Sequence, residues 1–244
     1  DKQHHLVLHV DNTMLSVADA YQRVNKQLAP TTGSIDPHSA FPKLPLVLNA
    51  FEQKTLVLKL KADGPPNIPL VWYQQKNYQT KEKLTRLLFG AVIGVLAIMA
   101  LYNLVIFAAI KETVYFVYIG YLLSAFVVLA TVNGFGYLLF SVEIQQWLNT
   151  HSLSFHFSLV TFLLLFTLYF LKYHENKGKL YRIGIYSVWL VVLLGLASQF
   201  LTHELRAKIF FSLPPFLYAY SLLLVFIKAK KQFVWARFYL LSWI

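Results

Sequence analysis

The stretch Leu101–Leu123, LYNLVIFAAIKETVYFVYIGYLL, decides how this chain is read. It is almost wholly apolar, yet Lys111, Glu112 and Thr113 interrupt it. A core helix of a soluble domain averages ~10–14 residues and keeps a polar face. A single membrane span does not carry Lys and Glu at its centre. Both facts are met by two spans joined through a tight polar turn at Lys111–Thr113.

Outward from that turn the same pattern repeats. Uncharged apolar runs cover 87–110, 114–132, 153–171, 183–201 and 209–227, and 233–244 opens as the first half of a sixth. A helix needs ~20 apolar residues to cross a bilayer. The expectation is an α-helical transmembrane bundle over 84–244, with short loops making consecutive spans antiparallel neighbours. Lys and Arg set its orientation. The first, third and fifth loops carry Lys111; Lys172, Lys177, Lys179 and Arg182; and Lys228, Lys230 and Lys231, against only Arg206 and Lys208 in the second and fourth. The odd loops are therefore expected in the cytoplasm and the N-terminal region outside. Lys76, Lys81, Lys83 and Arg86 oppose this from the outer side of the first span, but a long head translocates largely regardless of charge.

Composition agrees. The 244 residues are 57% hydrophobic and only 14% charged, where soluble domains hold about a quarter charged. The net charge of +11 would point to nucleic acid in a soluble protein. Here the excess sits in loops between apolar runs, so a bilayer is the expected partner and nucleic acid is not. Cysteine is absent, which excludes disulfides, Cys-zinc sites and a thiol nucleophile. The chain opens at Asp1 without Met and stops inside an apolar run, which reads as a fragment or a processed chain.

Residues 1–80 follow a different period. In TLVLKLKA, Leu56, Leu58 and Leu60 share one face while Val57, Lys59 and Lys61 share the other, the mark of a half-buried strand. LVLHV (Leu6–Val10), LPLVLNA (Leu44–Ala50) and IPLVWYQ (Ile68–Gln74) also read as strands; Asp63–Asn67 breaks the chain and Thr31–Pro42 is a loop. About five strands with Gly/Pro loops predict an antiparallel sandwich or jelly roll, and its small size predicts the C-terminal part of one. His4, His5 and His9 have mixed strand parity and no fourth ligand, so surface histidines are expected rather than a metal site.

Few residues inside the spans are chemically distinctive. Gly90 and Gly94 form a GxxxG spacing that packs helices closely, either within the bundle or in a homodimer. Tyr102 and Asn103 lie deeper, and Asn103 is expected to hydrogen-bond across to another helix. Pro214 and Pro215 remove two backbone donors and are expected to kink the fifth span, as shape or as a hinge. The five spans hold no Asp, Glu, Lys or Arg; only His156 titrates there, and with His151 it makes a belt histidine or an outer sensor. Trp147, Tyr169, Tyr173 and Trp235 read as an aromatic belt. No phosphate loop, HExxH, GxSxG or paired-carboxylate pattern occurs, so no catalytic, cofactor-binding or metal residue is named.

The segment FGAVIGVLAIMALYNLVIFAAIKETVYFVYIGYLLSAFVVLATVNGFGYLL resembles the bacterial seven-transmembrane receptors with diverse intracellular signalling modules. Their first two spans read as a Gly-spaced helix, Met-x-Leu-Tyr-Asn-Leu, a short Arg-Asp turn, Tyr-Leu-x-Tyr, then Asn-Gly-x-Gly. Met99, Leu101, Tyr102, Asn103, Leu104, Tyr115, Tyr118, Asn133, Gly134 and Gly136 match, with Lys111 and Glu112 where Arg and Asp are usual. ARFYLLSW resembles the start of the sixth span, and VDNTMLSVADAYQ and TLVLKLKADGPPNIPLVWY resemble the end of the associated periplasmic jelly-roll domain. Phe140 replaces a usual Trp-Pro, and LKYHENKGKL lacks the usual Thr-Arg and Pro.

The resemblance implies a sensor in the bacterial inner membrane. A periplasmic ligand, carbohydrate-like, would meet the head. The bundle would pass the event to a C-terminal cytoplasmic module, a diguanylate cyclase (GGDEF) or a histidine kinase, that lies outside this chain. Two other readings stand beside it. A transporter or channel needs ionisable groups that these spans lack. A passive anchor for a carbohydrate-binding module predicts that removing residues 1–75 changes nothing in an attached module.

Overall fold

The structure is a computed structural model that describes residues 3–24, 27–31, 34–62, 67–231 and 233–241. Six strands come first: β1 His4–Val10, β2 Leu15–Val24, β3 Gln27–Pro30, β4 Lys43–Leu48, β5 Leu56–Ala62 and β6 Leu70–Gln74. Helices follow: α1 Gln75–Ile110, α2 Thr113–Val132, α3 Gly136–Leu139, α4 Val142–Thr150, α5 Ser152–Phe170, α6 Tyr173–Asn176, α7 Lys179–Ala197, α8 His203–Lys230 and α9 Val234–Leu241. The chain forms two compact units, one of Asp1–Ile93 with Leu129–Thr150, the other of Gly94–Val128 with His151–Ile244.

In the first unit the strands make two antiparallel sheets, ordered β4-β1-β6 and β3-β2-β5. Leu8, Val10, Leu44 and Leu46 from one sheet and Leu15 and Ala18 from the other share a single core, with Leu56, Leu58 and Leu60 packed against it. The alternation read in β5 is therefore used as expected, with its leucine face turned inward. Burial in β1 does not alternate: Val7 to Val10 are all buried, because both faces of this central strand are covered. β2 and β3 were not individually legible. β2 reads Leu-Ser-Val-Ala-Asp-Ala and carries an irregularity between Leu15 and Val17, which breaks the period of two. Of the break expected at Asp63–Asn67, residues 63–66 lie outside the described residues, as do Thr32 and Gly33 of the expected loop.

In the second unit α5 is the centre. Phe157, Val160 and Leu164 pack with Val188 and Val191 of α7 and Leu217 of α8. Leu168 and Leu171 pack with Leu224, Val225, Ala236 and Tyr239 of α8 and α9. Polar side chains bond between helices: Ser124 to Ser158 at 2.9 Å and Thr167 to Tyr239 at 2.8 Å, while Tyr173 donates to the Leu224 carbonyl at 2.8 Å. In lipid these contacts replace the hydrophobic drive that water would supply.

Among the described residues, five helices are long and apolar enough to cross a membrane, within Gln75–Ile110, Thr113–Val132, Ser152–Phe170, Lys179–Phe200 and Lys208–Lys230. On α1, Leu87, Ile98 and Leu101 are 70%, 69% and 63% exposed, apolar surface of the kind that meets lipid or another protein. Two boundaries differ from expectation. The connection expected at Thr202–Lys208 is mostly helix, since α8 starts at His203. The long second loop is not irregular but folds into α3 and α4. The sixth run is helical over Val234–Leu241, and its last residues, 242–244, lie outside the described residues.

Candidate functional site: the strand-to-helix junction

β6 ends at Gln74 and α1 begins at Gln75, with no residue between them. An edge strand of the head is thus continuous with the first spanning helix. Around this junction the head grips the helix. Lys43 of β4 donates to Glu82 Oε2 at 2.8 Å, and Arg86, one turn on, donates to Glu82 Oε1 at 2.7 Å. The Arg86 guanidinium lies 4.9 Å over the Phe41 ring and Lys43 lies 5.0 Å over Tyr78. Tyr78 is the one buried residue of α1, packed with Val7, Ala40, Phe41 and Phe135.

His9 completes this cluster. Its Nδ1 donates to the Pro42 carbonyl at 3.1 Å, which fixes the neutral tautomer, and its ring faces Tyr73 and Tyr78 at 6.3 and 5.4 Å. The expectation of a surface histidine is wrong here: His9 is 4% exposed. The second face of its strand is covered by Tyr78 of α1 and by Ala40 and Phe41, which pack on the neighbouring Val7. Burial, then the nearby Lys81 charge, lowers its pKa below the ordinary imidazole value of 6.5. His4 and His5 are exposed, and no cluster of metal-ligating side chains occurs among the described residues.

The segment between α2 and α4 docks on the same side of the head. Thr13 donates to the Val132 carbonyl at 3.0 Å. Gly134 has φ +68°, and a Cβ there would sit 2.4 Å from the Thr13 side chain. Two independent constraints therefore require glycine. Gly136 packs so closely that a Cβ would lie 1.6 Å from Gln145 Oε1, in a side chain that is fully buried. Gln145 in turn donates to Asn149 Oδ1 at 2.8 Å, and the Asn149 amide donates to Tyr137 at 3.3 Å. Phe135 stacks on Phe89 of α1 with ring centroids 3.6 Å apart and meets Phe41 edge-on at 5.9 Å. His38 of the head accepts from the Gln146 amide at 2.6 Å. Thr13, His38 and Gln145 escaped sequence reasoning, because nothing local in a sequence shows which side chain a glycine makes room for.

The other marked residues scatter. A Cβ added at Gly90 or Gly94 would meet nothing within 4 Å. Two other glycines do sit against a neighbour: a Cβ added at Gly120 of α2 would overlap the Phe162 ring, and one added at Gly184 of α7 would lie 2.8 Å from Leu168. Neither belongs to a GxxxG pair, so each is a weaker signal in sequence. Asn103 donates to the Met99 carbonyl of its own helix at 2.7 Å and not to a neighbouring helix as expected; Tyr102 is exposed. Backbone acceptors one turn back are always in reach of a helical Asn. Lys111 and Glu112 form the turn between α1 and α2. Pro214 and Pro215 lie inside α8, which continues through both. His156 bonds the Ser152 carbonyl at 2.8 Å and meets the Phe210 ring edge-on. His151 precedes α5, where its carbonyl accepts from Ser154.

A family model described as 7TM diverse intracellular signalling matches residues 85–244, more than half of the chain. The chain belongs to this family. The 7TM diverse intracellular signalling domain is a receptor domain and not a catalytic one, and the chain is a multi-pass membrane protein of that signalling class. The match covers the two glycines of the docked segment, Gly134 and Gly136, and begins within α1, beyond the β head. No curated protein and no solved structure matches the chain.

Proposed function

We propose that the chain is the sensing and membrane-crossing part of a bacterial inner-membrane receptor. Residues 1–80 form the C-terminal part of a periplasmic β-sandwich sensor domain, and residues 84–244 form the bundle. A periplasmic ligand, carbohydrate-like by the family resemblance, shifts the head between two states. The helices carry that shift to a C-terminal cytoplasmic module, a diguanylate cyclase or else a histidine kinase. A ligand biases such an equilibrium only through its different affinity for the two states.

The observation that carries this reading is the absence of any residue between β6 and α1. A passive anchor gains nothing from a rigid joint, since a flexible linker would present its head equally well. The joint is reinforced by the Lys43–Glu82–Arg86 chain of ion pairs. The lysine-rich odd loops support the orientation.

The test uses the full-length receptor in its host membrane. Two glycines inserted between Gln74 and Gln75 are expected to abolish the stimulus-dependent change in cyclic di-GMP or in phosphotransfer, with membrane insertion retained. An unchanged response would sink the proposal. Deletion of residues 1–75 with no effect on output would favour the passive anchor. The proposal includes a second copy of the chain meeting the first through Gly90 and Gly94. Cross-linking between engineered cysteines at Ala91, in a chain otherwise free of cysteine, is expected and is expected to vanish in Gly90→Ile/Gly94→Ile.

A further inference from the structure

A cavity of about 520 Å³ opens in the second unit, where three segments leave the apolar region. They are the α1–α2 turn, the end of α5 with α6, and the start of α9. Its charged lining is balanced: Lys111 and Lys172 against Glu112 and Glu175. Lys172 and Glu175 pair with each other at 3.3 Å, both more than half exposed. Lys111 and Glu112 have no ion-pair partner among the described residues.

Two further observations describe its walls. His174 lines it through its ring, while its Nδ1 is buried away from the opening. The His174 ring is held in place by stacking on Tyr169, with centroids 4.8 Å apart. Secondly, Lys111 and Lys172 follow the ends of α1 and α5 in the left-handed conformation, with φ of 62° and 55°. Glycine is the residue that takes this position without strain. Lysine there accepts strain in order to place an ammonium; Lys177 shares the conformation at φ 43° but does not line the cavity.

We infer that this cavity is a headgroup site for a membrane phospholipid that carries both a phosphate and a primary ammonium, an ethanolamine lipid. The phosphate oxygens accept from Lys111 and Lys172. The ammonium donates to Glu112 and Glu175, with the rings of Tyr169 and Trp235, which also line the cavity, as cation-binding faces. Charge complementarity selects this occupant. An acidic headgroup would satisfy the lysines but meet two carboxylates. A choline headgroup carries a cation with no N–H to give them. The turn between two spans lies at the membrane–water boundary, where headgroups are.

The test reconstitutes the purified chain in phosphatidylcholine nanodiscs doped with equal amounts of phosphatidylethanolamine and phosphatidylglycerol. Lipid retained after transfer to detergent is identified by mass spectrometry. Phosphatidylethanolamine is expected to be enriched about tenfold over the bulk lipid, as a well-made polar site provides. Lys111→Ala/Lys172→Ala is expected to lose the enrichment. Glu112→Gln/Glu175→Gln is expected to swing it toward phosphatidylglycerol, and this variant carries the test if the lysine variant fails to fold by circular dichroism. No enrichment, or phosphatidylglycerol favoured by the unmodified chain, overturns the inference. So does displacement of the lipid by an equal concentration of soluble glycerophosphoethanolamine, which would make the site a reader of free headgroup rather than of membrane.

Discussion

Two glycines and one histidine show what single residues contribute. At Gly134 the positive φ and the Thr13 side chain act together, so Gly134→Ala is expected to destabilise the first unit by ~1–3 kcal/mol. Thermal melting followed by circular dichroism reads this. The nearest Thr13 atom is its Cβ, which alanine would keep, so Thr13→Gly in the same chain is expected to relieve the steric part and leave the strain. At Gly136 the clash is with Gln145, so Gln145→Ala is expected to rescue Gly136→Ala, a coupling of ~1 kcal/mol or more that a double-mutant cycle measures. For His9 the sign follows from its lowered pKa. The unfolded chain binds the proton more readily, so stability rises with pH up to about 6.5 and falls as the medium becomes more acidic. Melting between about pH 5 and 8 is expected to show that slope, and His9→Gln is expected to flatten it. None of these roles was legible locally. Asn133–Gly136 stood out only as part of a family pattern, and His9 was misjudged because strand parity says nothing about whether a second face is covered.

At the scale of elements, the Lys43–Glu82 pair links β4 to α1, and Glu82 is the more buried partner, its side chain 16% exposed. Lys43→Glu or Glu82→Lys alone is expected to cost ~1 kcal/mol, and the double swap to recover part of it. The cost is expected to shrink at high salt, since Lys43 is open to solvent. In α8, Pro214 and Pro215 deny a partner to the carbonyls of Phe210 and Phe211, the residues one turn before each. Pro214→Ala/Pro215→Ala is expected to slow amide hydrogen exchange around this turn. If signalling by the full-length receptor is unaltered in that variant, the prolines are shape and not hinge. Long spans were the most legible elements, because an apolar run bounded by Lys and Arg needs no tertiary information. Their ends were less so: His203–Lys208 is polar enough to read as a loop, yet it continues α8. The strands with strict alternation were legible, whereas β2, with its bulge, was not.

Across the whole molecule, class came from composition and fine packing did not. The shift from a balanced N-terminal third to spans empty of Asp, Glu, Lys and Arg is visible to anyone counting charges. Which glycines bring helices together was invisible, because Gly120 and Gly184 are defined by the Phe162 and Leu168 opposite them. The unbroken passage from β6 into α1 has a mechanical meaning. At 1.5 Å per residue, the 36 residues of α1 span ~54 Å, while the hydrocarbon core is only ~30 Å thick. Much of the helix therefore stands clear of the bilayer, and the membrane becomes a fulcrum. A tilt of ~5° about that fulcrum moves one end of such a rod relative to the other by ~5 Å, about one helical pitch. In the proposed receptor, a small angular change in one edge strand would in this way become a displacement as large as a turn of helix.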